Sequence, residues 1–298
     1  MSIDIRASEP GETEEPFGLA LGRQGGMPMV TLISIFVLAF VALLAVAAPL
    51  IAPHDIAAQS LLSRLRPPMF AGGGADYPLG TDHLGRDVLS RLLFATRTTL
   101  LIAGAGVFVG VGAGTLGGLI AGMLGGWIDE CLSAVVDAQA AVPTTLVALT
   151  AVALAGTSPL VLVLIIGFSE YYKYARIVRG QVAALQGYAF IEAARSSGAS
   201  PWRIAMRHIL PNTFSPVIVL ASLSFAEIVV LESSLSFLGV GIQPPNVSLG
   251  SLLGEARNYL ITTPWLAIFP CVVIVMITVA AAMIGDWLRS SLDPRNRA

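Results

Sequence analysis

Three of the carboxylates inside long apolar runs stand out: Asp137 among alanines and valines, and Glu227 and Glu232 in the run from 214 to 238. A carboxylate in hydrocarbon is costly unless it is paired, near the interface or facing water, and the chemistry open to it is proton relay along a membrane pathway. Glu227 and Glu232 are five residues apart, roughly 140° round a helix, so they do not form a paired carboxylate site on one face. The competing reading makes them structural glutamates, hydrogen-bonded or snorkelling. Other chemistries lack their parts. No Gly-x-x-x-x-Gly-Lys-[Ser/Thr] loop occurs, so nucleotide energy would have to come from a partner chain. His54, His83 and His208 all fall between apolar runs, which leaves an intramembrane serine nucleophile without a base. Cys131 and Cys271 are far apart, so neither a disulfide framework nor a thiol metal site is indicated. No catalytic set and no metal site is expected.

The elements that hold these residues are membrane helices. Of 298 residues, 55% are apolar and only 12% charged, against roughly 25% charged in a soluble globule. The mean hydropathy is +0.78. Net charge is -2, which gives no reason to expect nucleic acid. Residues 1–28 are polar and acidic and read as a mostly disordered tail. Met29 to Ile51 then runs without a charge, longer than the core of a signal peptide, and reads as a retained first span. A cleaved signal is the competing reading, because Ala45-Val46-Ala47-Ala48 lies at the end of the run. Further spans are expected at about 98–123, 131–154, 159–177, 214–238 and 264–287. All should be helical, since hydrocarbon cannot solvate an open strand edge. The fold class is therefore all-α, a polytopic membrane protein with about six transmembrane helices.

Lys and Arg counts orient the chain. With the N-terminus inside, 11 of the 17 lie on the cytoplasmic side, Lys173 among them, and six outside. That predicts cytoplasmic N- and C-termini. Residues 52–97 then form an extracytoplasmic loop. Within it Leu84, Val88, Leu89, Leu92 and Leu93, with Asp82/Arg86 and Asp87/Arg91 at i,i+4, predict an amphipathic helix lying on the outer interface.

In the second span Gly106, Gly110, Gly114, Gly118 and Gly122 recur every four residues, with Gly126 next in register. Such a ridge lets two helix backbones approach closely where no hydrophobic effect drives association. It reads as a sliding or tight interface in a translocation unit, or as static close packing.

The longest basic, hydrated run is Glu192 to Asn212. Its first half forms helix up to Gly198, a residue that tolerates the left-handed conformation ending a helix. Ser200 offers an N-cap and Pro201 takes the first helical position, so a second short helix starts there and runs towards Pro211. Arg195, Arg203, Arg207 and His208 keep this knob in water, while Trp202, Met206 and Ile209 supply apolar surface for docking.

Here the sequence resembles a family. Glu192-Ala193-Ala194, then Arg195 and Gly198, with Arg207, His208, Leu210 and Pro211 closing the run, are similar to the EAA loop of permease subunits of binding-protein-dependent ABC importers. His208 stands where the generic pattern has isoleucine, and Arg-His-Ile-Leu-Pro-Asn resembles the form found in the dipeptide, oligopeptide and nickel branch. Four further stretches resemble the second permease subunit of that branch: Leu79-Gly80-Thr81-Asp82 with Gly85-Arg86-Asp87 and Ser90-Arg91; Gly125 to Pro143; Leu235 to Gly241 with Pro244-Pro245; and Gly285-Asp286-Trp287-Leu288-Arg289 with Leu292-Asp293-Pro294. Ala134 departs from the family pattern, where an arginine precedes the aspartate, so the usual partner of Asp137 is missing.

The resemblance implies a type I importer permease fold and a coupling loop, 178–213, that docks in a cleft of a cytoplasmic ATPase. It implies a non-catalytic subunit in a bacterial inner membrane, a second homologous permease, two ATPases and an extracytoplasmic solute-binding protein. It implies no cofactor on this chain, with ATP and Mg on the partner subunits. The permease core would be 98–287 and the cytoplasmic C-terminal tail 288–298. A proton-coupled secondary transporter using Asp137, Glu227 and Glu232 is the alternative. The substrate is not legible.

Overall fold

The computed structural model describes residues 27–292. The expected tail 1–28, apart from its last two residues, and 293–298 of the C-terminal tail lie outside the described residues. Among the described residues the regular elements are helices, and no strand forms. In order they form α1 (Met29–Ile51), α2 (Val88–Leu124), α3 (Gly126–Ala140), α4 (Thr144–Ala155), α5 (Pro159–Gln186), α6 (Ala189–Ser196), α7 (Pro201–Ile204), α8 (Leu210–Phe237), α9 (Leu249–Ala256) and α10 (Trp265–Leu292).

Four helices are long and apolar enough to cross a membrane: α1, α2, the continuous rod from Pro201 to Phe237, and α10. The expected third span, 131–154, is not one straight helix. It is α3 and α4 bent by 95° at Ala141–Pro143, and counted as one it makes five. Pro143 has no N–H to continue the ladder, and its ring clashes with the preceding turn. α5 fails the apolar test because its second half carries Glu170, Lys173, Arg176 and Arg179.

Helix direction completes the count. Gly106 on α2 faces Ile166 on α5, Gly114 faces Tyr171 and Tyr174, and Gly122 faces Val182, so α2 and α5 run parallel, side by side. The chain must therefore return across the bundle between Leu124 and Pro159, which the bent α3–α4 pair does. Four helices thus qualify as spans by length and composition, five if the bent α3–α4 pair counts as one, and α5 runs beside α2 as a further long helix.

The glycine ridge explains how α2 and α5 approach. A Cβ on Gly114 would sit 2.5 Å from both the Tyr171 carbonyl and the Tyr174 Cβ, and one on Gly118 would sit 2.6 Å from the Ala175 carbonyl. Gly167 of α5 answers from the other side, where an added Cβ would sit 2.9 Å from the Gly106 carbonyl. The contact is internal to the chain. Gly126 is not part of it, lying at φ +53 at the start of α3 with open space around it.

Two cores form along this axis. One joins Ile102, Leu162, Ile166, Ile228, Leu235, Leu249 and Ile277. The other joins Leu119, Tyr174, Val178, Val182, Ile191, Ile204 and Ile209, next to the basic segment. Large apolar side chains cover the outside: Met29, Phe36, Phe108 and Leu154 are all strongly exposed. Such a surface suits lipid and not water.

Candidate functional site

The basic segment begins later than the expected 178, because α5 continues to Gln186. α6 ends in a Schellman motif: the Ala199 N–H donates to the Ala194 carbonyl (3.1 Å) and the Gly198 N–H to the Arg195 carbonyl (2.9 Å). Gly198 adopts φ +75, a conformation that only glycine enters without strain. The Ser200 hydroxyl then accepts from the Arg203 N–H (3.4 Å), with Pro201 in the first turn.

The expected stop at Pro211 does not occur. The backbone widens into a π-type turn at Ala205–Ile209 and continues through Pro211 into α8. Pro211 cannot bond the carbonyl four residues back and crowds it, and a wide turn just before it relieves that clash.

The knob has a sealed base and an open edge. Ile191, Ile204 and Ile209 are buried against Val182, Leu185 and Val217. Ile209, expected as docking surface, is thus spent inside. Trp202 is 70% exposed, Tyr188 56%, Phe190 45% and Met206 43%. Tyr188 stacks on Phe190, whose ring in turn meets the ring of His208 at 6.2 Å between centroids. Glu192, Ala193, Arg195, Arg203, Arg207 and Pro211 are all exposed on the segment, and Ala194 and Leu210 half-buried. Aromatic and methionine side chains ringed by arginines are the composition of a protein-docking surface.

The intramembrane carboxylates are not brought together. Asp137 lies on the exposed side of α3 and accepts from Arg176 of α5 (2.9 Å), so its partner comes from another helix and not from position 134. About two turns earlier on α3, Asp129 makes a bidentate pair with Arg179 (2.5 and 2.7 Å). Both pairs are largely exposed, where an ion pair adds about 0–1 kcal/mol, so they set the angle between α3 and α5 more than they stabilise it.

Glu232 is fully buried. Its carboxylate accepts from the hydroxyls of Ser236 (2.7 Å), Thr99 (3.1 Å) and Ser233 (3.5 Å). Thr99 also accepts from the Leu249 N–H (3.1 Å), and the Ser236 hydroxyl from the Ile242 N–H (3.1 Å). Glu232 is therefore the centre of a hydrogen-bonded junction of α2, α8 and the start of α9. Glu227 pairs instead with Lys173 of α5, which also pairs with Glu170 (2.6 Å). Lys173 thus sits mid-helix and is not a loop charge. The i,i+3 spacing of Glu170 and Lys173 inside an apolar run is a signal of this cluster that the sequence reading leaves unused.

At the far end of α2 the expected amphipathic surface helix is absent. Pro78–Asp87 is a folded turn in which Thr81 bridges to Asp87, and helix starts only at Val88. Asp87 is the N-cap, accepting from the N–H groups of Ser90 (3.0 Å) and Leu89 (3.4 Å), so it does not pair with Arg91. Arg91 is instead almost wholly buried and bridges Asp82 (2.5 Å) and Glu255 of α9 (2.7 and 2.9 Å). Arg86 joins the same two carboxylates (2.6 and 2.7 Å).

Burial pushes the Asp82 carboxyl up, but the Arg86 N–H and the Arg91 and Arg86 guanidiniums outweigh it and hold the group below the usual carboxylate range. Glu255 follows the same pattern, with Arg91 the main counterweight. Ligand atoms of Asp82, His83 and Glu255 lie within 4.8 Å of one another. Both carboxylates are committed to two guanidiniums, whose charge would repel a cation, so the cluster suits a structural clamp and not a metal centre.

Comparison with known proteins bears on all of this. Residues 114–298 match the family described as the binding-protein-dependent transport system inner membrane component. The chain is 37% identical over 224 residues to the glutathione transport system permease protein GsiD of Pectobacterium atrosepticum, covering 75% of this chain and 74% of that protein. It is 40% identical over 224 residues, with the same coverage, to the protein of that name from Shigella flexneri. It is 37% identical over 265 residues to a putative peptide transport system permease protein of Brucella suis, covering 88% of this chain and 87% of the relative. Among solved structures, an inward-facing MetNI methionine ABC transporter shares the fold at TM-score 0.55 and 18% identity, over 69% of this chain and 97% of that one.

Proposed function

This chain belongs to the family of inner membrane components of binding-protein-dependent transport systems, and from that premise we propose that it forms half of the pathway of an importer for glutathione or short peptides. It is the permease subunit of an ABC importer. Partner ATPases hydrolyse the nucleotide, a second permease of the same fold completes the pathway, and a solute-binding protein delivers the cargo on the outer side. The N- and C-termini face the cytoplasm, following the arginine distribution. Peptide-like cargo is favoured because relatives that the chain covers to 74% and 87% of their length carry glutathione or peptide transport in their names.

The observation that carries this reading is the Glu192–Pro211 knob: its base is welded into the core through Ile191, Ile204 and Ile209, and its edge of Tyr188, Phe190, Trp202 and Met206 is left open. A movement imposed on that edge is passed directly to α5 and α8. The proton-coupled alternative finds no such support, since Asp137, Glu227 and Glu232 each pair with different groups and form no chain.

The test is co-purification with the partner ATPase subunits, together with ATPase stimulation. Gly198→Val forces a β-branched residue into φ +75, at about 1–2 kcal/mol of local strain, and Glu192→Lys reverses a charge on the docking edge. Neither lies in a span, so membrane insertion should survive while both readouts fall. Wild-type stimulation in both variants would remove the docking role.

A further inference from the structure

The cluster of Lys173, Glu170 and Glu227, where α5 meets α8, is used by nothing described above. Lys173 Nζ lies 2.6 Å from Glu170 Oε2 and donates to Glu227 Oε2. Its depth is set by α2: the Glu170 Cβ lies 3.7 Å from where a side chain on Gly110 would begin, and Gly110 is central in the apolar stretch 98–123. The cluster is therefore midway through the hydrocarbon.

Its members differ in exposure. The Glu170 side chain is 4% exposed, Lys173 24% and Glu227 57%. Fully buried Tyr174 and Ser224 close the inner side, next to the charges. The outer side presents a carboxylate at more than half exposure. Charged groups at this depth face water or a polar partner and not lipid, because hydrocarbon cannot solvate them. The α5–α8 face that carries Glu227 is accordingly the wet face of the helix bundle.

Resting on the reading of the chain as a permease for peptide-like solutes, we propose that Lys173 and Glu227 line the translocation pathway and receive the two charged ends of a zwitterionic solute. The Glu227 carboxylate takes the solute's ammonium and Lys173 Nζ its carboxylate, their mutual ion pair being exchanged for two with the solute. Glu170 remains on Lys173 throughout, so the lysine is never left as an unpaired buried charge, the arrangement that costs most. With two carboxylates against one ammonium, the empty cluster carries a net negative charge and attracts the amino end first.

The experiment uses the assembled importer in proteoliposomes, with Cys131 and Cys271 both changed to Ser. Glu227→Cys is treated from the water phase with the charged, membrane-impermeant reagent methanethiosulfonate ethylsulfonate. Labelling comparable to that of the denatured chain is expected; protection from the reagent would place the residue in lipid or a dry interface and overturn the proposal. In the second arm Glu227→Gln is expected to slow ATP-driven uptake of dialanine and of glutathione about tenfold while ATP hydrolysis continues, and Lys173→Arg, which keeps the charge, to retain most uptake. Unchanged uptake in Glu227→Gln would overturn the binding role. If the unmodified importer takes up neither probe, the peptide reading itself fails, and the labelling arm still decides whether Glu227 lines a water-filled path.

Discussion

Arg91 at the start of α2 and Glu255 on α9 form a bidentate ion pair, 2.7 and 2.9 Å, across 164 residues of sequence. The guanidinium is 2% exposed and the carboxylate 28%. Removing one partner of such a pair strands the other charge and typically costs about 3–5 kcal/mol. With Glu255 partly reached by water, Arg91→Met should fall near the lower end, about 3 kcal/mol. The measurement is the midpoint of thermal unfolding in detergent. An Arg91→Met/Glu255→Met double variant should be less destabilised than the single change, since it leaves no lone charge on α9. Equal losses would mean that the pair is not coupled.

The same cluster predicts an acid limit. The carboxyls of Asp82 and Glu255 are held below their ordinary values of 3.8 and 4.5. A depressed carboxylate contributes stability that is fully present above its unfolded value and is lost as pH falls through the folded one. The unfolding midpoint should therefore be insensitive to these two groups above pH about 4.5 and fall below it. Glu255→Gln should start lower and show a flatter decline. A wild-type midpoint that holds constant down to pH about 3 would contradict the assignment.

The α2–α5 seam predicts a contrast between two glycines. Gly114→Leu drives a side chain into Tyr171 and Tyr174, and overpacking costs about 1–3 kcal/mol, with more expected where backbone must move. Gly104, on the same helix, has nothing within 4 Å of an added Cβ, so Gly104→Ala should be tolerated. Purified yield and detergent stability report the difference. Equal behaviour of the two variants would deny that the ridge is a close contact.

Thr99 offers a fourth check. Its hydroxyl donates to Glu232 and accepts from the Leu249 N–H. Thr99→Val keeps the shape and removes both bonds, and a buried N–H left unsatisfied costs about 1–3 kcal/mol. A stability loss of that order is expected in thermal unfolding, with α9 the first element to exchange its amide hydrogens. Unaltered exchange at Leu249 would argue against the junction.

What was legible in the sequence was whatever short-range pattern records. Apolar length located α1, α2, α8 and α10, and the four-residue glycine period located the α2–α5 seam without saying which helix would fill it. Gly198, Ser200 and Pro201 announced the break between α6 and α7 because caps are local chemistry. Failures came where the deciding partner was distant. Asp82/Arg86 and Asp87/Arg91 look like rungs of a surface helix, and nothing nearby reveals that Glu255 will bury Arg91 or that Asp87 will cap α2. Pro211 reads as a stop, whereas a wide turn one step earlier lets the helix pass. Ala134 shows only that the usual partner of Asp137 is missing from α3, and the arginine that replaces it, Arg176, lies on α5, beyond the reach of local pattern.

ATP-driven uptake is the decisive measurement. Membrane vesicles containing the assembled importer are loaded with ATP, given binding protein and labelled dialanine or glutathione, and treated with a protonophore. Accumulation that depends on internal ATP and persists after the proton gradient has collapsed is the expected result. Accumulation that vanishes with the gradient while ATP is held constant would contradict an ATP-driven permease and return Asp137, Glu227 and Glu232 to the role of a proton relay.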